Sequence, residues 1–177
     1  MKIDGRCHCG YVSFEAEADP ETTTMCNCTD CQTMSGAPMR AVSTTRPGTF
    51  VLLSGKPKEY LKTADSGAVR PQAFCPQCGT AIYSTSVGDD PKPYNVRVGV
   101  LRQRYELAPR RQLFVQSQQA WVYDLTAMQQ FDKMPPPRCR LQLTGGSFWP
   151  LPTKSSVRVS AVTTRADVAG AQPNRRH

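Results

Sequence analysis

Seven cysteines before residue 80 fall into four short patterns: Cys7-His8-Cys9-Gly10, Cys26-Asn27-Cys28, Cys28-Thr29-Asp30-Cys31 and Cys75-Pro76-Gln77-Cys78-Gly79. Thiolates at such spacings are ligands for soft and borderline metal ions. In a strand, residues i and i+2 project to the same side, so the sulfurs of Cys7 and Cys9 are expected to converge. The same holds for Cys26 and Cys28 where that segment is extended. A C-x-x-C turn aims two thiolates at one ion, and Gly79 suits the left-handed turn that closes a zinc knuckle. One C-x-x-C alone is a weak signal; two of them with two C-x-C units are a strong one. Zinc is the default ion for such a sulfur set, with iron its main competitor.

Seven thiolates do not fill two tetrahedra, and the natural division is four plus three. Structural zinc sites are closed by four protein ligands, whereas catalytic ones keep three and leave a position for water or substrate. His8 is a candidate eighth ligand, but strand alternation points it away from Cys7 and Cys9, towards a surface or supporting role. Cys26, Cys28 and Cys31 make a compact triad. The remaining pairs, Cys7–Cys9 and Cys75–Cys78, would pin the N-terminal segment to a later hairpin if one ion bridged them. Spacing permits the opposite assignment equally, with Cys75 and Cys78 completing the middle cluster. Cys139 and His177 read as free residues of the tail. Disulfides are the competing reading, and it depends on an oxidising compartment.

The elements that must position these residues read as mostly β. Tyr11 to Glu17 alternates, with Val12, Phe14 and Ala16 on one face. Phe50 to Leu53, Glu59 to Leu61, Ala81 to Tyr83, Tyr94 to Leu101 and Leu113 to Val115 read as further strands, separated by Gly- and Pro-marked turns. Helix is scarce: a turn after Cys28 and another near Leu125 to Phe131. The expected fold class is therefore mainly β, packed antiparallel sheets with little helix. The start lacks the apolar core of a signal peptide, and no run approaches the ~18 apolar residues of a membrane span. A soluble, cytoplasmic protein without a membrane partner is expected.

The net charge of +8 suggests nucleic acid only until it is mapped. Residues 1–137 hold 15 Lys+Arg against 13 Asp+Glu, while residues 138–177 hold 7 against Asp167 alone. The organisation read from this is a zinc domain over 1–137 and a basic, disordered tail over 138–177, divided at Pro135-Pro136-Pro137. The domain has no compositional case for nucleic acid, whereas the tail could contact acidic partners.

At these residues the chain resembles the glutathione-dependent formaldehyde-activating enzyme family, which also includes centromere protein V. The matching segments are Gly5-Arg6-Cys7-His8-Cys9-Gly10-Tyr11-Val12, Cys26-Asn27-Cys28-Thr29-Asp30-Cys31, Ser35-Gly36-Ala37-Pro38, Ser54-Gly55-Lys56-Pro57, Phe74-Cys75-Pro76-Gln77-Cys78-Gly79-Thr80, Trp121 and Phe131. The resemblance covers about residues 3–135. It implies a β-tent fold of sheets joined around zinc and assigns the ligands. Cys7, Cys9, Cys75 and Cys78 would hold a structural zinc, and Cys26, Cys28 and Cys31 a catalytic one with an open position. It further implies a carbon–sulfur lyase reaction, in which a small thiol such as glutathione adds to formaldehyde or another aldehyde.

Three readings follow. The first is that lyase, favoured by an open three-thiolate site. The second is a zinc-stabilised binding module whose second zinc site is not catalytic. The third is a redox sensor that releases zinc when Cys26, Cys28 and Cys31 are oxidised. With His8 the one histidine of the domain, a histidine base is not expected. Proton transfer would fall to water at the metal, to Asp30 or to solvent, and Asp30 reads first as a solvated turn residue.

Overall fold

The fold is taken from a computed structural model, which describes residues 1–89, 91–126 and 128–135. The expected tail therefore lies outside the described residues, and Met1–Gln129 is the compact unit considered below.

Among the described residues, ten strands form two sheets. The smaller has the order β1-β2-β5, with β1 Lys2–Arg6, β2 Ser13–Glu17 and β5 Val51–Ser54. The larger has seven strands in the order β10-β3-β4-β9-β8-β7-β6. These are β3 Thr24–Cys26, β4 Arg40–Thr44, β6 Lys58–Thr63, β7 Val69–Phe74, β8 Ala81–Ser84, β9 Asn95–Arg97 and β10 Arg111–Leu113. All neighbours are antiparallel except β10 and β3, which run parallel. The architecture is thus mainly β, as expected, with one α-helix among the described residues, α1, over Thr29–Ser35.

The two sheets share one core. Ile3, Phe14 and Ala16 enter it from the small sheet, and Ala73, Ile82, Tyr83 and Val96 from the large one. Phe50 stacks between Phe14 and Tyr94, with ring centroids 5.2 and 4.3 Å away, and Tyr83 meets it edge-on at 5.1 Å. Offset and edge-to-face arrangements of this kind are the favoured aromatic contacts. Cys7 and Cys75 belong to the same buried cluster, so one cysteine centre is anchored directly in the core.

Several sequence expectations change in detail. β1 ends at Arg6, so Cys7 to Gly10 is a turn and not a strand. It is held by Gly10 N–H donating to Cys7 O, and Cys7 N–H donating to Val12 O. The sulfurs of Cys7 and Cys9 converge through that turn rather than through strand alternation. The apolar run from Tyr94 to Leu101 is strand only over Asn95–Arg97, followed by a 3-10 turn at Val98–Val100. The turn brings Leu101, and not Val100, fully into the core, where Leu101 bridges Gly5. No helix occurs among the described residues of 125–131; a 3-10 turn at Ala120–Tyr123 precedes them. β1, β3, β4 and β7 were not anticipated, and β7 contains Pro71, a residue that argues against a strand interior.

Candidate metal centres

The first cluster is made by two knuckles of similar build. The turn after β1 supplies Cys7 and Cys9, and the turn between β7 and β8 supplies Cys75 and Cys78. Each knuckle ends in a glycine with positive φ, Gly10 at 82° and Gly79 at 71°, a conformation that a side chain would strain. Gly79 N–H donates back to Cys75 O at 2.9 Å, closing the turn foreseen from its position. The knuckles are tied together by His8 N–H donating to Thr80 Oγ1 at 3.2 Å. His8 itself is exposed and its ring belongs to neither cluster.

The second cluster joins Cys26 at the end of β3, Cys28 at the cap of α1 and Cys31 in its first turn. Cys28 caps the helix through its own sulfur, which accepts from Cys31 N–H at 3.4 Å. Buried Asn27 locks the loop by donating from its backbone and its Nδ2 to Leu113 O, at 3.1 and 2.9 Å. Gln32 of α1 donates to Asn27 O and Ser117 O, and Gln119 donates in turn to Gln32 Oε1. Asp30 pairs with Lys62 of β6, which raises the Lys62 pKa and holds α1 against the large sheet.

Within each cluster all ligand sulfurs lie within 4.8 Å of one another. Cys7–Cys9, Cys9–Cys75 and Cys26–Cys28 are separated by 3.5, 3.7 and 3.5 Å. A tetrahedral ion with metal–sulfur bonds of ~2.3 Å spaces its sulfurs by about 3.8 Å, whereas a disulfide needs ~2.05 Å. The seven cysteines of the two clusters are free, so the geometry favours metal ligation over disulfides. Both clusters could hold zinc.

The thiols resist simultaneous ionisation. Despite burial, the Val12 N–H and neighbouring sulfurs lower the Cys7 pKa. The Thr80 hydroxyl and nearby backbone N–H groups draw Cys78 down to about 5. At Cys9 the Tyr11 N–H favours the thiolate, but burial and three adjacent sulfurs push it up to about 12. In the second cluster Cys28 is lowered against burial by the Cys31 N–H, while burial pushes Cys31 up. Crowded thiolates of this kind keep protons until a cation replaces them.

Two large concavities, of about 710 and 700 Å³, lie along the small sheet. The first borders Cys7 and His8, and neither is lined by the three-thiol cluster. Sequence reasoning overlooked the residues surrounding that cluster, namely Arg40, Lys62, Gln72 and Arg97. Each comes from a different strand, and no local motif marks them.

Fold and sites together define a mainly β protein with one four-sulfur and one three-sulfur centre, each suited to zinc. Residues 2–117 match the glutathione-dependent formaldehyde-activating enzyme family, and the chain belongs to that family. A crystal structure of a Rhodobacter sphaeroides protein is similar at 23% identity, covering 63% of this chain and 99% of that one with a TM-score of 0.47. A comparison with curated proteins gives no match. No helix among the described residues is long and apolar enough to cross a membrane.

Proposed function

We propose that the protein is a zinc-dependent carbon–sulfur lyase of the S-(hydroxymethyl)glutathione synthase type, working in the cytoplasm at the three-thiol centre. Cys26, Cys28 and Cys31 hold the catalytic zinc, and Cys7, Cys9, Cys75 and Cys78 hold a structural one. The observation that carries this reading is the division of seven sulfurs into a complete set of four and an incomplete set of three. A three-ligand set leaves a place for an exchangeable ligand.

In the reaction a glutathione-like thiol adds to formaldehyde or another aldehyde. A carbon–sulfur bond forms, the carbonyl π bond breaks, and the proton lost by sulfur ends on the former carbonyl oxygen. Zinc at this centre supplies the Lewis acidity that lowers a thiol pKa or polarises an aldehyde oxygen. The Cys31 N–H and the Asn27 and Gln32 hydrogen bonds hold the loop so that the three sulfurs would meet on one ion. Asp30 is held in an ion pair by Lys62, which leaves solvent to carry the proton.

The test is metal content followed by exchange between free formaldehyde and its glutathione adduct, read by NMR. Two zincs per chain and accelerated exchange are expected, with Cys28→Ala abolishing the acceleration while the fold survives. A protein that holds both metals but leaves exchange at the uncatalysed rate with every cellular thiol tried is not this enzyme.

A further inference from the structure

Two arginines beside the three-thiol centre are short of partners. Arg97 of β9 is 8% exposed, and its Nε and Nη1 are buried without a hydrogen bond among the described residues. Its Nη2 donates to Gln72 Oε1 at 2.8 Å. Arg40 of β4 reaches the same oxygen through Nη1 at 3.5 Å, and its Nε is likewise buried and unpartnered. Two guanidinium groups therefore share one neutral acceptor.

Strand register explains how they meet. Cys26 lies directly opposite Arg40, and Val42, two residues along β4, lies opposite Arg97. Side chains alternate along a strand, so Cys26, Arg40 and Arg97 emerge on one face of the large sheet. The other face carries Val96 and Tyr83 into the core.

Charge accounting makes this face unusual. A buried cation is costly unless an anion or good acceptors compensate it. Burial first, and Arg40 second, pull the Arg97 pKa down to about 9, which leaves it cationic at neutral pH. Cys31 of the three-thiol centre interacts electrostatically with both arginines. Three thiolates with one divalent ion sum to a single negative charge, whereas the two guanidinium groups carry two positive ones. Water could meet the open hydrogen bonds, but it cannot balance the charge.

We propose that Arg97, backed by Arg40 and clamped by Gln72, sets the specificity of the three-thiol centre for an anionic completing ligand, a thiolate or carboxylate, over a neutral one. Arg97 and Arg40 are positioning residues here; they act through the charge of the centre. The inference rests on the reading that this centre holds a divalent metal. It deepens that reading, because the thiol partner then enters as thiolate, with its proton passing to solvent.

The experiment uses the full chain loaded with cobalt(II), whose visible absorption reports a change of ligand. Cobalt content is measured first, and the protein is then titrated with 2-mercaptoethanol, acetate and imidazole. Arg97→Met is expected to weaken at least one of the two anionic probes by about tenfold, the worth of one partly screened unit charge. Its imidazole affinity should stay within about twofold of wild type, since a neutral ligand has no net charge to lose an attraction. Arg97→Lys should retain anion binding, and Arg40→Met should repeat the loss should Arg97→Met not fold. Loss with 2-mercaptoethanol alone assigns the thiolate as the anion, loss with acetate alone the carboxylate, and loss with both a general anion site. Equal effects on anions and imidazole, or none on either, overturn the inference while cobalt still fills both centres. A wild type that takes up cobalt at the four-sulfur centre alone overturns the metal reading, and this inference with it.

Discussion

A metal held by the four-sulfur centre would staple two knuckles that are far apart in the chain, and the size of that staple can be worked out. Cys9 and Cys75 are 66 residues apart. Closing a loop of that length in the unfolded chain corresponds to about 4 kcal/mol in the chain-entropy relation used for disulfides. Unfolding entropy is ~2.1 cal/mol/K per residue, or roughly 0.27 kcal/mol/K for a unit the size of Met1–Gln129. Replacing Cys75 and Cys78 together by Ala should therefore lower Tm by about 15 °C. Loss of the fully buried Cys75 sulfur adds to the fall, because it leaves a void in the core.

The three-sulfur centre gives the contrast. Its members lie two and three residues apart along the chain, so closing it constrains little chain, about 2 kcal/mol by the same relation. The pair Cys26→Ala and Cys28→Ala should cost about 7 °C, half the fall expected at the four-sulfur centre. Both double variants and the wild type, each zinc-loaded, are compared by calorimetry under reducing conditions. Equal falls in the two variants would refute the division into a stapling and an open centre. So would a Cys75/Cys78 variant that melts within about 3 °C of wild type.

Graded chelation should remove metal from the three-sulfur centre first, leaving the far-UV spectrum unchanged until the second metal leaves; collapse with the first metal would contradict that. In Gly5→Ala the new Cβ would lie 2.5 Å from Phe14 Cζ and 2.7 Å from the Val100 carbonyl oxygen. The backbone contact cannot rotate away, so a loss of about 3 kcal/mol in urea denaturation is expected, and a loss below about 0.5 would be too small for the overlap. Gln72→Leu removes the shared acceptor of Arg40 and Arg97 and should cost about 2–3 kcal/mol in the same assay, with an unchanged midpoint the contrary result. Burial, with the Glu59 carboxylate beside its hydroxyl, holds the Tyr83 phenol above its usual pKa. Its neutral form is favoured by folding, so that stability is whole below pH ~10 and lost as pH rises further. Tyr83→Phe should lose less stability than wild type between pH ~10 and ~12, and parallel curves would exclude Tyr83 as the cause.

The cysteine pairs were legible in the sequence because their information is local, but which pairs gather into one cluster was not, since spacing also allowed Cys75 and Cys78 to complete the middle cluster. A C-x-x-C-G turn carries its geometry in five residues, and Gly79 adopts the left-handed conformation its position suggested. The β2 face was legible for a similar reason: Val12, Phe14 and Ala16 alternate and are all buried. Strands whose residues answer to partners elsewhere were not. β1, with Ile3 as its one large apolar side chain, is held by pairing with β2 across Ile3–Ala16 and Gly5–Phe14. β7 tolerates Pro71 because its pairing with β8 begins only at Gln72, so the strand interior loses no donor on that side.

The same distinction separates the sulfurs from the charge around them. Which neighbouring cysteines converge follows from spacing, yet the environment of the three-sulfur cluster depends on Arg40, Gln72 and Arg97, spread over 57 residues and three strands. Each is unremarkable alone: an arginine opening a strand, a glutamine after a proline, an arginine closing another strand. Only antiparallel register brings them to one face, with Cys26 opposite Arg40 and Arg97 one step along. A ligand set can thus be written as a motif, because metal–sulfur geometry is short-ranged. Electrostatic selection among the ligands that complete it is long-ranged, and is set by the sheet as a whole.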